Sequence, residues 1–252
     1  MLTFEIDGHV AVITMNRPEA RNAVDPALAR AISGAVSRFE TDPELWVAIL
    51  TGQGPVFCAG ADLKTIRAGA VHELHDSYGF AGLTTRTRSK PLIAAVNGPA
   101  LAGGTEIVLS CDIVVASLNA SFGIPEVKRS LVAAAGGLYK LPRRIPLNIA
   151  MEWALTGDPV SAQRAYGVGL VNALASDGQA LAAARTFADR ICANPPVAVR
   201  ASRRVLIEQA GLNEAEALRL SELAFEEAFG SADGAEGLAA FIEKRPPVWT
   251  GS

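Results

Sequence analysis

The sequence predicts an α/β fold that gives way to a helical C-terminal region, on three observations. Short apolar runs lead into glycine turns and then into helical patterns, and this order is used twice in succession, at residues 47–62 and 92–115. Repetition of that kind argues for parallel α/β units stacked on one another. From about Pro146 onward the pattern is helical almost throughout. Half of the 252 residues are apolar, ample for a large core.

The elements come in this order. Phe4 to Asn16 alternates around Asp7-Gly8, a favoured two-residue turn, and predicts a β-hairpin. Asp25-Pro26 reads as N-cap and first helical residue, and Leu28, Ala31, Ile32, Ala35, Val36 and Phe39 supply an apolar stripe. Val47 to Thr51 is a short buried strand running into Gly52-Gln53-Gly54-Pro55 and the Ala59-Gly60-Ala61-Asp62 turn. Leu92 to Val96 is a second such strand, Asn97-Gly98-Pro99 a turn, and Gly103-Gly104 opens a helix that leads to a strand at Ile113-Val114-Val115. Helices are then expected at residues 149–155, from Ser161 to near Gly167, and at 179–193, 196–210, 214–229 and 234–243. Pro195-Pro196 marks a boundary between an α/β body, residues 1–195, and a helical tail, residues 196–252.

Composition narrows the function. A net charge of −3 argues against a nucleic-acid partner, which needs a basic face. The N-terminal stretch lacks a basic region followed by a long apolar one, so no secretory signal is expected. The most apolar stretch, residues 92–116, is broken by Asn97, Glu106 and Asp112, and reads as core and not as a membrane span. Cys58, Cys111 and Cys192 are odd in number with no Cys-x-x-Cys, which points to a reducing cytoplasm. His72 and His75 have a metal-like spacing but no third ligand, so they are assigned to a solvated helix face and no metal is expected.

Two glutamates carry the chemistry. Glu106 comes after the Gly103-Gly104 turn, and Glu126 after Pro125, twenty positions later. A carboxyl pair converging on one pocket can divide a proton transfer, one group donating and the other accepting. Backbone N–H groups of Ala61 and Gly103, each at a glycine-containing turn, are preorganised to receive negative charge on a thioester oxygen. Taken singly, a Glu in a first helical turn is usually there for the helix dipole. Only the joint order and spacing favour catalysis.

Over almost its full length the chain resembles the enoyl-CoA hydratase/isomerase, or crotonase, family. The carrying stretches are residues 16–23 (NRPEARNA), 57–64 (FCAGADLK), 90–112 (from KPLIAAVNGPALAGGTE to SCD), 122–126 (FGIPE), 155–158 (LTGD) and 167–171 (GVGLV). The resemblance implies a spiral of repeated ββα units with a helical C-terminal region, residues 196–252, that assembles as a homotrimer or a dimer of trimers. It implies an oxyanion hole at the amides of Ala61 and Gly103, catalytic Glu106 and Glu126, and hydration of a trans-2-enoyl-CoA to a 3-hydroxyacyl-CoA, as in fatty acid β-oxidation. Glu106 would activate the water that attacks C3 and Glu126 deliver a proton to C2. No cofactor is implied, since coenzyme A enters as part of the substrate. It would lie along Ala59, Gly60, Asp62, Leu63 and Lys64, with Ala23 adjoining and Arg21, Lys64 and Lys244 near its phosphates. Residues 69–88 are expected to form a mobile loop and helix walling the acyl pocket.

Two departures stand out. Ala133-Ala134 replaces a Pro-Gly common after the second glutamate, and a triple glycine becomes Ala102-Gly103-Gly104, here expected to be a mild change. Lys140, Arg143 and Arg144 are assigned to surface or interface. Two other readings stay open: a double-bond isomerase using the same acids, and an acyl-CoA-binding paralogue with little turnover. A Ser-His-Asp hydrolase is not supported, for no Gly-x-Ser-x-Gly is present.

Overall fold

The computed structural model describes residues 1–252. It opens on the expected hairpin: β1 (Leu2–Asp7) pairs antiparallel with β2 (Val10–Met15), with Gly8 at φ +57° in the turn. Asp25 caps α1 (Pro26–Thr41) by accepting the Leu28 N–H at 2.7 Å. Next come β3 (Val47–Gly52), α2 (Leu63–Arg67) and a small hairpin of β4 (His75–Asp76) and β5 (Gly79–Phe80). After them are β6 (Leu92–Val96), β7 (Ala100–Leu101), α3 (Gly103–Val108), β8 (Ile113–Ser117) and β9 (Ser121–Gly123), then α4 (Gly137–Lys140) and α5 (Leu147–Thr156). β10 (Val160–Ser161), α6 (Ala162–Gly167), β11 (Ala173–Ala175) and α7 (Ala180–Cys192) complete the body. The chain ends in α8 (Pro196–Glu208), α9 (Glu214–Phe229) and α10 (Ala232–Glu243).

Strands β1-β2-β3-β6-β8-β11 form one sheet, antiparallel at the opening hairpin and parallel thereafter. A narrower second layer lies over it. In that layer β7 runs parallel to β9 and β10 closes antiparallel on β9, while single bridges set Cys58 beside Ala100 and Val24 beside Ala61. Each long strand thus leads to a short one and then a helix: β3, Cys58 and α2, then β6, β7 and α3. This is the expected spiral of ββα units. The short partners leave no trace in the sequence pattern, because two residues are too few for alternation to register.

Both faces of the sheet are covered, which is why its strands read as unbroken apolar runs. Leu92, Ala94 and Val96 join the main core, while Ile93 and Ala95 face α7. There Ala180, Ala184 and Ala188, four residues apart, present a smooth surface to the sheet. α8 and α9 pack on each other and α10 on α9. Phe225, Phe229 and Phe241 of this tail remain exposed. Arg203 of α8 ties the tail to the body through Asp112, at 2.9 Å, a carboxylate it shares with Arg88 at 3.1 Å.

Two expectations need correction. Residues 69–88 hold no α-helix; they contain a 3-10 turn, Val71–Leu74, and the β4–β5 hairpin, because Gly79 and Gly82 take positive φ and turn the chain back. His75 accordingly lies on a strand, edge-on to Phe80 at 5.5 Å, and not on a helix face. The change at Ala102 is not mild for the backbone. Ala102 has φ +53° and ψ −126°, a region that residues with a Cβ rarely adopt. Its amide donates to the Gly123 carbonyl at 2.9 Å and its carbonyl accepts the Thr105 N–H at 2.9 Å, which hold it there.

Ala102→Gly is therefore expected to stabilise the fold by ~1 kcal/mol. Gly104→Ala, whose methyl would collide with the Cys58 carbonyl oxygen, is expected to cost ~2–3 kcal/mol. Urea unfolding of the two variants beside the parent chain checks both signs.

Candidate active site

The site begins where two turns touch. Gly60 sits at φ +89°, and a Cβ on it would lie 2.8 Å from the Ala102 methyl and 3.0 Å from the Gly103 nitrogen. The Ala59–Asp62 turn and the start of α3 are therefore in backbone contact. Hydrogen bonds hold them so: Leu101 N–H donates to the Cys58 carbonyl at 3.0 Å, Ala59 N–H to the Arg21 carbonyl at 3.1 Å, and Asp62 N–H to the Val24 carbonyl at 2.9 Å. Asn22, fully buried at φ +52°, donates from its side chain to the Gln53 and Val56 carbonyls at 3.0 and 2.7 Å. Cys58 donates to the Asn22 carbonyl at 3.2 Å, and burial pushes its thiol up to about 12, so it stays protonated as a packing group. The N–H groups of Ala61 and Gly103 donate to nothing within the chain. The Phe80 ring closes on Gly103, its Cε1 2.6 Å from where a Cβ would stand.

The two carboxyls come from different elements. Glu106 lies in α3, every residue of which is buried, and is itself 3% exposed. Its Oε1 accepts the Gly137 N–H at 2.9 Å. Burial raises its pKa to about 7, the Gly137 hydrogen bond opposing and the Glu126 charge adding to the rise. Glu126 stands in the first turn of a 3-10 segment, Pro125–Arg129, and is half-buried. Its Oε2 is buried without a hydrogen-bond partner. Burial raises its pKa as well, against its own backbone amide and the Arg129 charge. Two carboxyls raised above their ordinary range thus lie in the same region as two backbone N–H groups left free.

The residues after Glu126 keep a backbone function despite their altered composition. Gly136 takes φ +117° and delivers the Gly137 amide to Glu106. A Cβ on Gly137 would lie 3.1 Å from the Ala133 methyl and 3.2 Å from Glu106 Oε1, so a side chain there would press on the Glu106 carboxyl. Gly137 was absent from the expected site, although the Gly136-Gly137 pair was its signal. Phe80 left no signal at all.

The remaining expected residues divide. Arg21, Leu63 and Lys64 are exposed and Ala23 and Ala59 half-buried, all on the segments around the Ala59–Asp62 turn. The Asp62 side chain is already engaged: it caps α2 through the Lys64 N–H at 2.9 Å and meets Arg17 at 3.4 Å, which also pairs with Asp25 at 3.2 Å. Lys244 is not gathered here. It caps α10, whose neighbours are α9 and a C-terminal tail that reaches Ala193, Pro196 and Trp46. Trp46 precedes β3, whereas the Ala59–Asp62 turn lies beyond its other end. Of the three basic residues read as surface or interface, Arg143 is exposed and Lys140 and Arg144 are half-buried. Lys140 and Arg144 turn inward, to Ser110 Oγ at 2.7 Å and to the Cys111 carbonyl at 2.5 Å.

A carboxyl raised above its usual 4.5 contributes stability that is present below about 4.5 and lost as pH rises through about 7. Glu106→Gln is accordingly expected to raise Tm by a few degrees at pH 8 and to leave it nearly unchanged at pH 4, as calorimetry would measure.

Comparison with known proteins identifies the family. The enoyl-CoA hydratase/isomerase family profile matches residues 5–252. Enoyl-CoA hydratase EchA19 of Mycobacterium tuberculosis is 44% identical over 246 residues, covering 95% of this chain and 92% of that protein. Mevalonyl-coenzyme A hydratase sidH of Aspergillus fumigatus is 42% identical, covering 96% and 91%. A crystal structure of an enoyl-CoA hydratase from M. tuberculosis superposes with a TM-score of 0.96 at 47% identity, covering 100% of this chain and 99% of that one. With its crotonase-type spiral and its match across nearly every residue, this chain belongs to the enoyl-CoA hydratase/isomerase family.

Proposed function

We propose that the protein adds water to a trans-2-enoyl-CoA to give a 3-hydroxyacyl-CoA. The observation that carries this reading is the pairing of two carboxyls, both raised by burial, with two N–H groups that have no partner in the chain. In the reading, the thioester oxygen accepts from Ala61 and Gly103. Glu106, ionised, takes a proton from the water whose oxygen bonds to C3. The C2–C3 π electrons pass to the thioester as an enolate, and protonated Glu126 gives its proton to C2. Glu106 then holds the water's proton while Glu126 is ionised, and proton transfer from Glu106 to Glu126 through the next water resets the pair. The electron count closes with water alone, so the step calls for no redox group.

Coenzyme A is assigned to the exposed edge of the Ala59–Asp62 turn, with Arg21 and Lys64 toward its phosphates. Residues 196–252 are assigned to a trimer or a dimer of trimers, for which exposed Phe225, Phe229 and Phe241 offer apolar contact. The acyl group is left broad by the reading, since the relative from A. fumigatus is a mevalonyl-CoA hydratase.

Loss of the conjugated enoyl-thioester absorbance of crotonyl-CoA tests the reaction. Glu106→Gln and Glu126→Gln are each expected to lose ~10²-fold or more in kcat. Retention of full rate by either variant refutes the two-acid scheme. Movement of the double bond without water uptake would turn the assignment to an isomerase.

The pH profile tests the roles. A base raised to about 7 must be ionised while Glu126 stays protonated, so log kcat/KM is expected to climb from low pH, pass through a maximum and fall as Glu126 loses its proton. A profile already flat at pH 5 would count against Glu106 as the base.

A further inference from the structure

Lys140 ends α4, one turn beyond the Gly137 amide that holds Glu106. Its ammonium donates to Ser110 Oγ at 2.7 Å and to the Thr84 carbonyl. Ser110 carries the link onward, its hydroxyl donating to the Glu106 carbonyl at 2.8 Å. Thr84 carries it the other way: its Oγ1 accepts the Phe80 N–H at 2.9 Å, and the Phe80 ring packs against Gly103. The lysine stem folds over Gly136, with Cε 3.2 Å from the place of an added Cβ. Three segments that surround Glu106 therefore meet at one nitrogen. A lysine at a helix end commonly caps that helix's own carbonyls. Here both acceptors belong to other elements.

We propose that Lys140 is a positioning residue for the Glu106 carboxyl. Its ammonium pins α4 to the end of α3 and to the Phe80–Thr84 turn, so that the Gly137 and Gly103 amides keep fixed places about the acid. The proposal rests on Glu106 acting as the base.

Charge works in the same direction. Lys140 favours the ionised form of Glu106, and Glu106 favours the charged form of Lys140. The other charged or titratable groups acting on the lysine are Arg88, Arg144 and Cys111. Arg88 is paired with Asp112, Arg144 with backbone carbonyls, and Cys111 is a thiol pushed up to about 12. Burial brings Lys140 down to about 8, so it is largely protonated at neutral pH. Lys140 is the basic residue acting on Glu106, a smaller influence there than burial, the Gly137 hydrogen bond, the Glu126 charge and the Ala135 backbone.

The test compares Lys140→Met and Lys140→Arg with the parent chain, in crotonyl-CoA hydration and in 13C NMR titration of glutamate-δ-13C-labelled protein. Glu106→Gln identifies the resonance. Lys140→Met is expected to lower kcat ~10–100-fold with KM changed by less than about threefold. It is also expected to raise the Glu106 titration midpoint by about half a pH unit or more, since a favourable charge is lost. Lys140→Arg is expected to restore most of the rate. A folded Lys140→Met, judged by near-UV circular dichroism, with kcat within about twofold of the parent and an unmoved midpoint overturns the proposal. If that variant does not fold, Ser110→Ala, which cuts one link and keeps the charge, is expected to lose ~3–10-fold in kcat at unchanged KM; no loss overturns it. Full activity of Glu106→Gln would refute the base assignment separately, and the NMR midpoint would still decide whether Lys140 governs that carboxyl.

Discussion

Between the Ala59–Asp62 turn and the first turn of α3 there is room for backbone and for nothing else. Gly104 stands against the Cys58 carbonyl and Gly60 against Ala102 and Gly103, so two successive units of the spiral are fused at their glycines. A side chain at either position would push the units apart. That contact sets the spacing of the Ala61 and Gly103 amides, and it also fixes the direction in which α3 leaves and hence where Glu106 points. Much of the surrounding hydrogen bonding serves to hold it. Asn22 ties the first unit to the exit of β3, Cys58 ties Asn22 to the turn, and strained Ala102 is clamped between Gly123 and Thr105.

Packing this tight has an electrostatic consequence. Glu106 is carried into a helix with no exposed residue, where an ionised carboxylate is costly. The fold offsets part of that cost chiefly with the Gly137 amide, delivered by a loop whose residues are mostly alanine and glycine, and further with the Ala135 backbone and the Lys140 charge. It leaves Glu126 less well supplied, with one buried oxygen unpartnered. A structure selected for stability alone would pair or remove such groups. Their presence, both raised above the ordinary carboxyl range, is a cost to stability of the kind that functional sites carry.

The parallel sheet makes these sites possible by staying out of them. Its residues bury to both faces, against the main core and against the alanine face of α7. The candidate site is built from the turns and short helices at the strand ends. The Asp112 cluster has a comparable role farther away, joining Arg88 of the body to Arg203 of α8 at one carboxylate held well charged by its two guanidiniums.

What the sequence by itself determined is whatever local chemistry dictates. The hairpin at Asp7-Gly8, the Asp25 cap, the apolar runs of β3 and β6 and the stripe of α1 depend on turn geometry, capping and periodicity within a few residues. The glutamates and the Gly103 amide were legible for the same reason, being adjacent to glycine or proline turns within the family's motifs. The tertiary structure alone decided the rest. Strands of two residues exist only because a neighbour pairs with them, Gly137 and Phe80 reach the site across 31 and 23 positions of chain from Glu106 and Gly103, and Lys140 is an inward strut only because Ser110 and Thr84 are folded against it. Lys244 shows the converse, a basic residue whose charge suits the phosphates of coenzyme A and whose helix packs on α9. Distances between segments are set by how whole elements pack, and no local pattern records them.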